Sequence, residues 1–452
     1  MKITKLSIKN FHQFKDLEVD LTYPVGHKKE GEPLDKVCFI GQSGTGKTTL
    51  LKLIGGHTYT ISKLFEEYKP EEFKDVLITK QFKEYSTNIR VRVSKDENDV
   101  STNTYTWSNY KKLGENIDFE DIIKIEEEYL DKIKNQFIYF PAELKFDTPE
   151  NAKTNIADKK VIDFSNYNLG DVWGIVLNEI QKYREKIIVF KQRIADIAQQ
   201  GTEIDTVKIE KEIKKLKAWE KKEKNPLASL ADDCLDPLLK HFNLKIKREF
   251  EFQKQSDFSF ISVEDIDGNT IPQNLFSTGT KQVIFSAVPL YLLKPEDALI
   301  LFDEPERSLY PNIQKILIDY YTKLAINSQF FFATHSPIIA SSFEPWEIVE
   351  LKFDKKGKVY QELYYDPKKE RHVDNYTIIP SYLTYDLMLN KVFDLTQTHS
   401  TERSEKITEV LMLRNRIKSY KEKGTLTTEK AKKDIEKYKD LANKLFWEFD
   451  IN

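Results

Sequence analysis

The residues Gly41-Gln42-Ser43-Gly44-Thr45-Gly46-Lys47-Thr48-Thr49 decide the fold, because they match G-x-x-x-x-G-K-[ST] in a context that gives the match physical meaning. The apolar stretch Val37-Cys38-Phe39-Ile40 precedes them and reads as a buried strand; a helical run from Thr48 to Ile54 follows. Glycines allow successive backbone N–H groups to curl around phosphate oxygens, and the helix N-terminus adds favourable partial charge. The expected ligand is therefore a nucleotide triphosphate, cradled by residues 41–49. Lys47 is expected at its β- and γ-phosphates and the Thr48 hydroxyl in the shell of a Mg²⁺ ion.

Two further strand ends carry the chemistry such a cradle needs. Leu299-Ile300-Leu301-Phe302 is an apolar strand that ends in Asp303-Glu304-Pro305-Glu306. Asp303 suits Mg²⁺ coordination and Glu304 suits polarising the attacking water. Taken alone, acids at a strand end are common solvated residues; behind a phosphate cradle they acquire a role. A third apolar strand, Phe330 to Ala333, ends in Thr334-His335-Ser336-Pro337, which places a histidine where it can donate to a γ-phosphate. Between cradle and acids lies Phe276-Ser277-Thr278-Gly279-Thr280-Lys281-Gln282, a helix-capping turn by itself. The alternation of strand, helix and strand from Ala298 to Ser336 predicts a parallel sheet.

Away from these motifs the chain is less specific. Residues 1–21 alternate as short β-type runs, and Asn88–Val93 with Thr102–Trp107 read as an antiparallel hairpin about the polar turn Asp96–Asp99. Phe137–Phe140 is a strand that stops at Pro141. Leu244–Phe252 and Phe258–Val263 read as two further strands. From Trp173 an apolar seam runs through Val176, Ile180, Tyr183, Ile187, Phe190, Ile194 and Ile197 with alternating three- and four-residue spacing. After Gly201 a lysine-rich helix runs to about Lys224 with Ile209, Ile213 and Leu216 on one side. The pair predicts a helical hairpin, either a projecting arm or helices packed on the domain. Two basic helical segments, Glu405–Lys423 and Thr428–Leu445, close the chain about Gly424.

Composition narrows the class. The chain of 452 residues is 40% hydrophobic and 32% charged, enough for a substantial core in two or three lobes. A net charge of −3 confines any surface for nucleic acid to a local patch. Two distant cysteines, Cys38 and Cys234, argue against a disulfide framework or a zinc site. The absence of a signal-peptide pattern and of any long apolar span leads to the expectation of a cytoplasmic protein without a membrane partner.

The ordered set of cradle, Phe-Ser-Thr-Gly-Thr-Lys-Gln, Asp-Glu-Pro-Glu, Ser308-Leu309-Tyr310-Pro311 and Thr-His-Ser-Pro resembles the ABC-type ATPases of the SMC/RecF group. The opening Ile3-Thr-Lys-Leu-Ser-Ile-Lys-Asn-Phe11 is similar to their first strand. More narrowly, the chain resembles compact ATPases of anti-phage defence operons, such as the PtuA subunit of Septu systems, and residues 394–404 are reminiscent of their tails. The resemblance implies an α/β fold: an ABC/SMC-type P-loop ATPase head with an antiparallel β lobe, a short helical-hairpin insertion and a helical C-terminal tail. The expected division is 1–170, 171–226, 227–352 and 353–452.

It also implies ATP with Mg²⁺ as ligands and a homodimer or higher oligomer closed head to tail around nucleotide. Ser277 and Gly279 of one protomer would face the γ-phosphate held by Lys47 of the other. Glu304 would be the base, His335 the switch histidine, Thr48 and Asp303 the metal ligands, and residues 308–311 the D-loop between the sites. The chain departs from the family's pattern in three places: Thr278 stands where transporters prefer glycine, Glu143 where the Q-loop glutamine is sought, and His12 where an arginine is common. The activity implied is ATP hydrolysis. The defence resemblance makes the head a sensor or gate for a partner effector, a nuclease. The alternative is a RecF-like repair ATPase that binds DNA directly, which the lysines at 211, 214, 215, 217, 221, 222 and 224, with those at 430–439, favour. A transporter subunit fits least, because the heptad insertion and tail have no counterpart there.

Overall fold

The structure, a computed structural model, describes residues 2–59, 74–82, 85–94, 103–112, 137–145, 156, 159–199, 206–248, 262–395 and 400–446. The chain divides into two compact units, Met1–Leu383 and Thr384–Asn452.

The first unit is built on one twelve-stranded sheet. In chain order its strands are β1 (Lys2–Phe11), β2 (Phe14–Asp20), β3 (Lys36–Gly41), β4 (Lys74–Phe82), β5 (Tyr85–Ser94), β6 (Asn103–Lys112), β7 (Phe137–Phe140) and β8 (Val161–Asp163). A separate small sheet holds β9 (Leu244–Ile246), β10 (Val263–Asp265) and β11 (Thr270–Ile271). The large sheet resumes with β12 (Leu299–Asp303), β13 (Gln329–Ala333), β14 (Ile348–Phe353) and β15 (Val359–Glu362). Its spatial order is β6-β5-β4-β1-β2-β15-β14-β3-β13-β12-β7-β8.

One half, β6 to β2, is antiparallel throughout. The other half, β14-β3-β13-β12-β7-β8, is parallel throughout. Parallel strands are covered on both faces and so read as unbroken apolar runs, which is why Leu299–Asp303, Gln329–Ala333 and Phe137–Phe140 are buried at every position. The register is decisive. Ala333 lies opposite Asp303 on one side and Phe39 on the other, and Phe302 lies opposite Phe140. Gly41, Glu304, Thr334 and Pro141 therefore leave the sheet at one edge, its carboxyl edge, where open α/β sheets place their ligands.

The hairpin expected around residues 88–107 is present as β5 and β6; its turn at 96–99 lies outside the described residues, as do 249–261, where parts of two further strands were expected. β14 and β15 add strands where the sequence pattern loosens after Trp346. The reason is Glu350, buried mid-strand, whose carboxylate accepts from the Tyr364 hydroxyl at 2.9 Å and pairs with Lys352 at 3.3 Å. A buried acid breaks the apolar run from which a strand is read. β15 and the residues up to Leu383 belong to the first unit.

One face of the sheet packs Leu299, Leu301 and Phe331 with Val37, Phe39 and the helix α1 (Lys47–Tyr59) residues Leu50, Leu51 and Ile54. On the other face Phe302 stacks on Phe140 at 4.5 Å, on Tyr321 at 4.7 Å and on Phe332 at 5.3 Å.

The seam predicted from Trp173 is helix α2 (Leu169–Gln199), and α3 (Thr206–Lys222) packs against it. Trp173, Val176 and Ile180 are buried, whereas no residue of α2 beyond Ile180 and none of α3 is. The outer part of the pair is held by Trp219, whose ring meets Tyr183 at 5.0 Å and Phe190 at 5.9 Å. This is an arm with a foot in the core; the turn at 200–205 lies outside the described residues. Two longer helices on the first unit, α4 (Thr278–Leu293) and α5 (Pro311–Thr322), follow the capping turn at 276–277 and residues 308–310.

The second unit contains α6 (Thr401–Glu422) and α7 (Glu429–Leu445). Val410, Leu413 and Ile417 pack on Tyr438, Leu441 and Leu445, and Gly424 turns the chain at φ 66°.

Phe302→Ala should cost about 3–5 kcal/mol, the usual range for emptying an aromatic position in a core. Urea unfolding of the full chain measures it, and a loss below about 1 kcal/mol would remove the ring stack from the core that supports the edge.

Candidate nucleotide site

The edge where β3, β13, β12 and β7 end gathers all but two of the residues singled out for the site. The loop 41–46 bends through left-handed backbone at Gly44 (φ 85°) and Gly46 (φ 90°). A Cβ on Gly46 would stand 2.4 Å from Gln13 Nε2 and 2.5 Å from the Phe14 ring, so no side chain fits there. Gln13, on the β1–β2 turn, donates to the Gly44 carbonyl at 3.3 Å and props the loop from below. Thr45 is buried and its hydroxyl donates to the Gln42 carbonyl at 2.8 Å. Ser43 and Gly44 are exposed, Gln42 also, and Thr49 is partly buried at the start of α1.

Lys47 is buried at the head of α1, and its ammonium donates to the Gly41 carbonyl at 2.9 Å and the Gln42 carbonyl at 3.2 Å. Burial pulls its pKa down to about 8, against the opposing pull of Asp303, Glu304 and Glu306. Thr48 Oγ1 donates to Asp303 Oδ2 at 2.8 Å. Asp303 is itself buried, which raises its pKa, the Thr48 hydrogen bond opposing and the neighbouring Glu304 adding.

Glu304 begins the turn after β12 with φ 48°, and its N–H donates to the Ala333 carbonyl at 2.8 Å. That strained conformation aims the carboxylate off the strand end toward His335, whose Nε2 lies 4.0 Å from Glu304 Oε1. Burial, with the Lys47 cation next, lowers the His335 pKa, while Glu304 raises it. The imidazole is thereby biased to its neutral form.

The residues fit the expected ligands. The cradle is backbone N–H with one buried cation, and Thr48 with Asp303 offers the oxygen donors a hard divalent ion takes. Among side chains in reach, Asp303 and the Thr48 hydroxyl would hold Mg²⁺.

Ser277 and Gly279 lie elsewhere. Ser277 caps α4, its hydroxyl accepting from Thr280 N at 3.0 Å, and Gly279 packs on residues 308–309: a Cβ there would stand 2.6 Å from the Ser308 carbonyl. Neither has a contact with the cradle of its own chain in the hydrogen bonds described. Glu143 is highly exposed and pairs with Arg307 at 3.4 Å, an ion pair worth little by itself.

One residue was missed as a functional candidate. Glu306 is partly buried, with its carboxylate enclosed at the centre of the edge: Oε1 accepts from the Thr334 hydroxyl and, at 3.3 Å, from His335 N, while Oε2 is buried without a hydrogen bond. Burial pushes its pKa up to about 7. In sequence it looks like one more acid in a charged loop; only the fold shows it to be enclosed.

A family model described as AAA ATPase domain matches residues 1–340. No curated protein matches the chain. Similar solved structures include the SmcHead bound to the C-winged helix domain of ScpA, at 14% identity and TM-score 0.43, covering 80% of this chain and 97% of that one. A second is the Smc head domain with an extended coiled coil, bound to the C-terminal domain of ScpA and derived from Pyrococcus furiosus (15% identity, TM-score 0.42, 80% of this chain and 96% of that). A third is the SMC head domain from Thermotoga maritima (10%, TM-score 0.39, 80% and 99%).

The Glu306 geometry has a signed consequence for stability. Its folded-state pKa lies above the ordinary 4.5, so the folded chain keeps a proton that the unfolded chain releases. The carboxyl therefore destabilises the fold progressively from about pH 4.5 to about pH 7, and fully above that. Glu306→Gln removes this dependence. Its stability relative to the unsubstituted chain should improve by about 1–3 kcal/mol between pH 5 and pH 8 in parallel urea titrations. A pH-independent difference would show that Glu306 does not hold that proton.

Proposed function

With residues 1–340 matched by that model, the chain belongs to the AAA ATPase domain family, and we propose that it binds ATP with Mg²⁺ at the carboxyl edge of the sheet and hydrolyses it between two SMC-like heads. The observation that carries the reading is the 2.8 Å hydrogen bond from Thr48 to Asp303. It joins a cradle residue to a strand-end acid far away in the chain, in the relation a shared cation requires.

Lys47 would leave its two loop carbonyls for the β- and γ-phosphates. When bound, Mg²⁺ supplies charge neutralisation between those phosphates, with Thr48 and Asp303 as its protein ligands. Glu304, turned off the strand end, orients and deprotonates the attacking water. His335, neutral and 4.0 Å from it, donates to the γ-phosphate oxygen. Ser277 and Gly279 sit on a different element from the cradle, which fits their use on a second copy's nucleotide. The assembly is a homodimer or higher oligomer.

The role we assign to hydrolysis is sensing: the closed pair gates a partner effector, a nuclease, in anti-phage defence. Support for it is the resemblance of the signature, D-loop and tail to the PtuA-like ATPases; residues 396–399 of that tail lie outside the described ones. A second reading has an observation of its own. The lysines at 211, 214, 215, 217, 221, 222 and 224 are all exposed on an arm that buries none of α3, a surface suited to direct DNA contact.

Glu304→Gln should slow hydrolysis by about 10²–10⁴ while ATP still binds. Lys47→Ala should weaken ATP binding at least about tenfold, as loss of charge-assisted contacts does. Calorimetry and a phosphate-release assay read the two, and turnover within about threefold of the parent in Glu304→Gln would remove the base.

Charge reversal of Lys214, Lys217 and Lys221 separates the two roles. On the gate reading, binding of the isolated chain to duplex DNA changes little. Strong binding that weakens steeply with salt and is lost on reversal would make the repair reading the better one.

A further inference from the structure

The three residues after β13 are held by side chains from the segment that follows β12. Glu306 holds Thr334 and the backbone of His335 from one side. From the other side comes Gln314, in the first turn of α5, which is only partly buried and bonds in two directions. Its Nε2 donates to the Leu309 carbonyl at 2.8 Å, and its Oε1 accepts from the Ser336 hydroxyl at 2.6 Å.

The direction of each bond is fixed by its neighbours. A carbonyl only accepts, so the amide nitrogen must face Leu309. The Ser336 hydroxyl already accepts from Ile338 N at 3.2 Å and Ile339 N at 3.3 Å, so its proton is free to go to Gln314. Leu309 and Ser308 form the D-loop, and Ser308 is the residue whose carbonyl packs against Gly279 of the signature turn. A continuous path thus runs from Gly279 through Ser308 and Leu309, across the Gln314 amide, to Ser336 and the adjoining His335.

We propose that Gln314 is a positioning residue that couples the signature turn of a protomer to the switch histidine of the same protomer. This rests on the two-head reading, in which the signature turn faces the partner's nucleotide. Occupancy of the partner's site presses on Gly279 and Ser277 and shifts the D-loop. The Gln314 amide carries that shift to the loop bearing His335. Hydrolysis in one site then depends on nucleotide in the other, with Gln314 acting through Leu309 and Ser336. The elements of a two-state coupling are present: a rigid packed contact at one end, a hydrogen-bonded bridge, and a loop held at three consecutive residues.

The test uses the full chain and compares Gln314→Leu, Gln314→Glu, Ser336→Ala, Ser336→Thr and the double Gln314→Leu/Ser336→Ala. Expected is a fall in kcat of about five- to fiftyfold for Gln314→Leu and Ser336→Ala, with ATP affinity within about twofold of the parent. Gln314→Glu should be as slow as Gln314→Leu. Its carboxylate still accepts the Ser336 hydroxyl but sets an oxygen against the Leu309 carbonyl, which breaks only the D-loop arm. Ser336→Thr, which keeps the hydroxyl, should restore the rate, and the double variant should be no slower than the slower single one.

A merely structural role gives another pattern: Gln314→Glu at the parent rate, or melting temperatures that fall in step with the rates. Either overturns the proposal, as do parent rates in Gln314→Leu or losses that multiply in the double variant. Ser277→Arg separates the proposal from its premise, because it blocks head closure without touching its own cradle. If Ser277→Arg hydrolyses at the parent rate, the two-head reading fails and the coupling with it. If it is inactive while Gln314→Leu is not, the two-head reading stands and the coupling alone fails.

Discussion

Everything at the edge depends on three parallel strands held in one register. β3, β13 and β12 are hydrogen-bonded in parallel with Phe39, Ala333 and Asp303 in register. A slip of one residue between β12 and β13 would carry Asp303 to the other face, because side chains alternate along a strand. The Thr48 hydroxyl would then have no carboxylate to meet. What fixes the register is burial on both faces and, at the opposite end of β13, a single amide. Gln329 is buried, donates to the carbonyls of Ile3 and Leu34 and accepts from Ile3 N at 2.7 Å. Satisfied on every side, it ties β1 of the antiparallel half to the parallel half, and a one-residue shift would leave it buried and unpaired, at a cost of about 1–3 kcal/mol or more.

How much of this was legible differs from element to element. The cradle, β12 and β13 could be read because each is an unbroken apolar run followed by residues with few other uses in that position. The arm could be read because its heptad spacing persists, although the aromatic that closes it, Trp219, stands off the Ile209–Leu216 series that marked the helix. β14 could not, since Glu350 interrupts it and is compensated by Tyr364 and Lys352 from outside the run. Glu306 and Gln314 were invisible as functional candidates for a related reason: their meaning comes from bonds to Thr334 and Ser336, beyond the reach of any local pattern. Periodicity reports what a segment buries and not which partner it finds.

Several polar groups lie together where the chemistry is: Lys47, Asp303 and Thr334 are buried at one edge, with the enclosed carboxylate of Glu306 beside them. Such a cluster is costly in a folded chain, and the cost is lowest when a charged ligand completes it. The hydrophobic part of the fold can be seen as a frame stiff enough to keep these groups together before the ligand arrives.

The setting of Lys47 has a consequence for the proposed binding. Its amine donates to two carbonyls of its own loop, and burial lowers its pKa to about 8. On the proposed reading, a bound triphosphate would favour the ammonium and raise that pKa, so near pH 8 nucleotide binding would draw a proton from the buffer. The apparent enthalpy then varies with the ionisation heat of the buffer, and affinity weakens as the solution becomes more alkaline. On that reading, exchanging the two loop carbonyls for phosphate would also be an act of protonation.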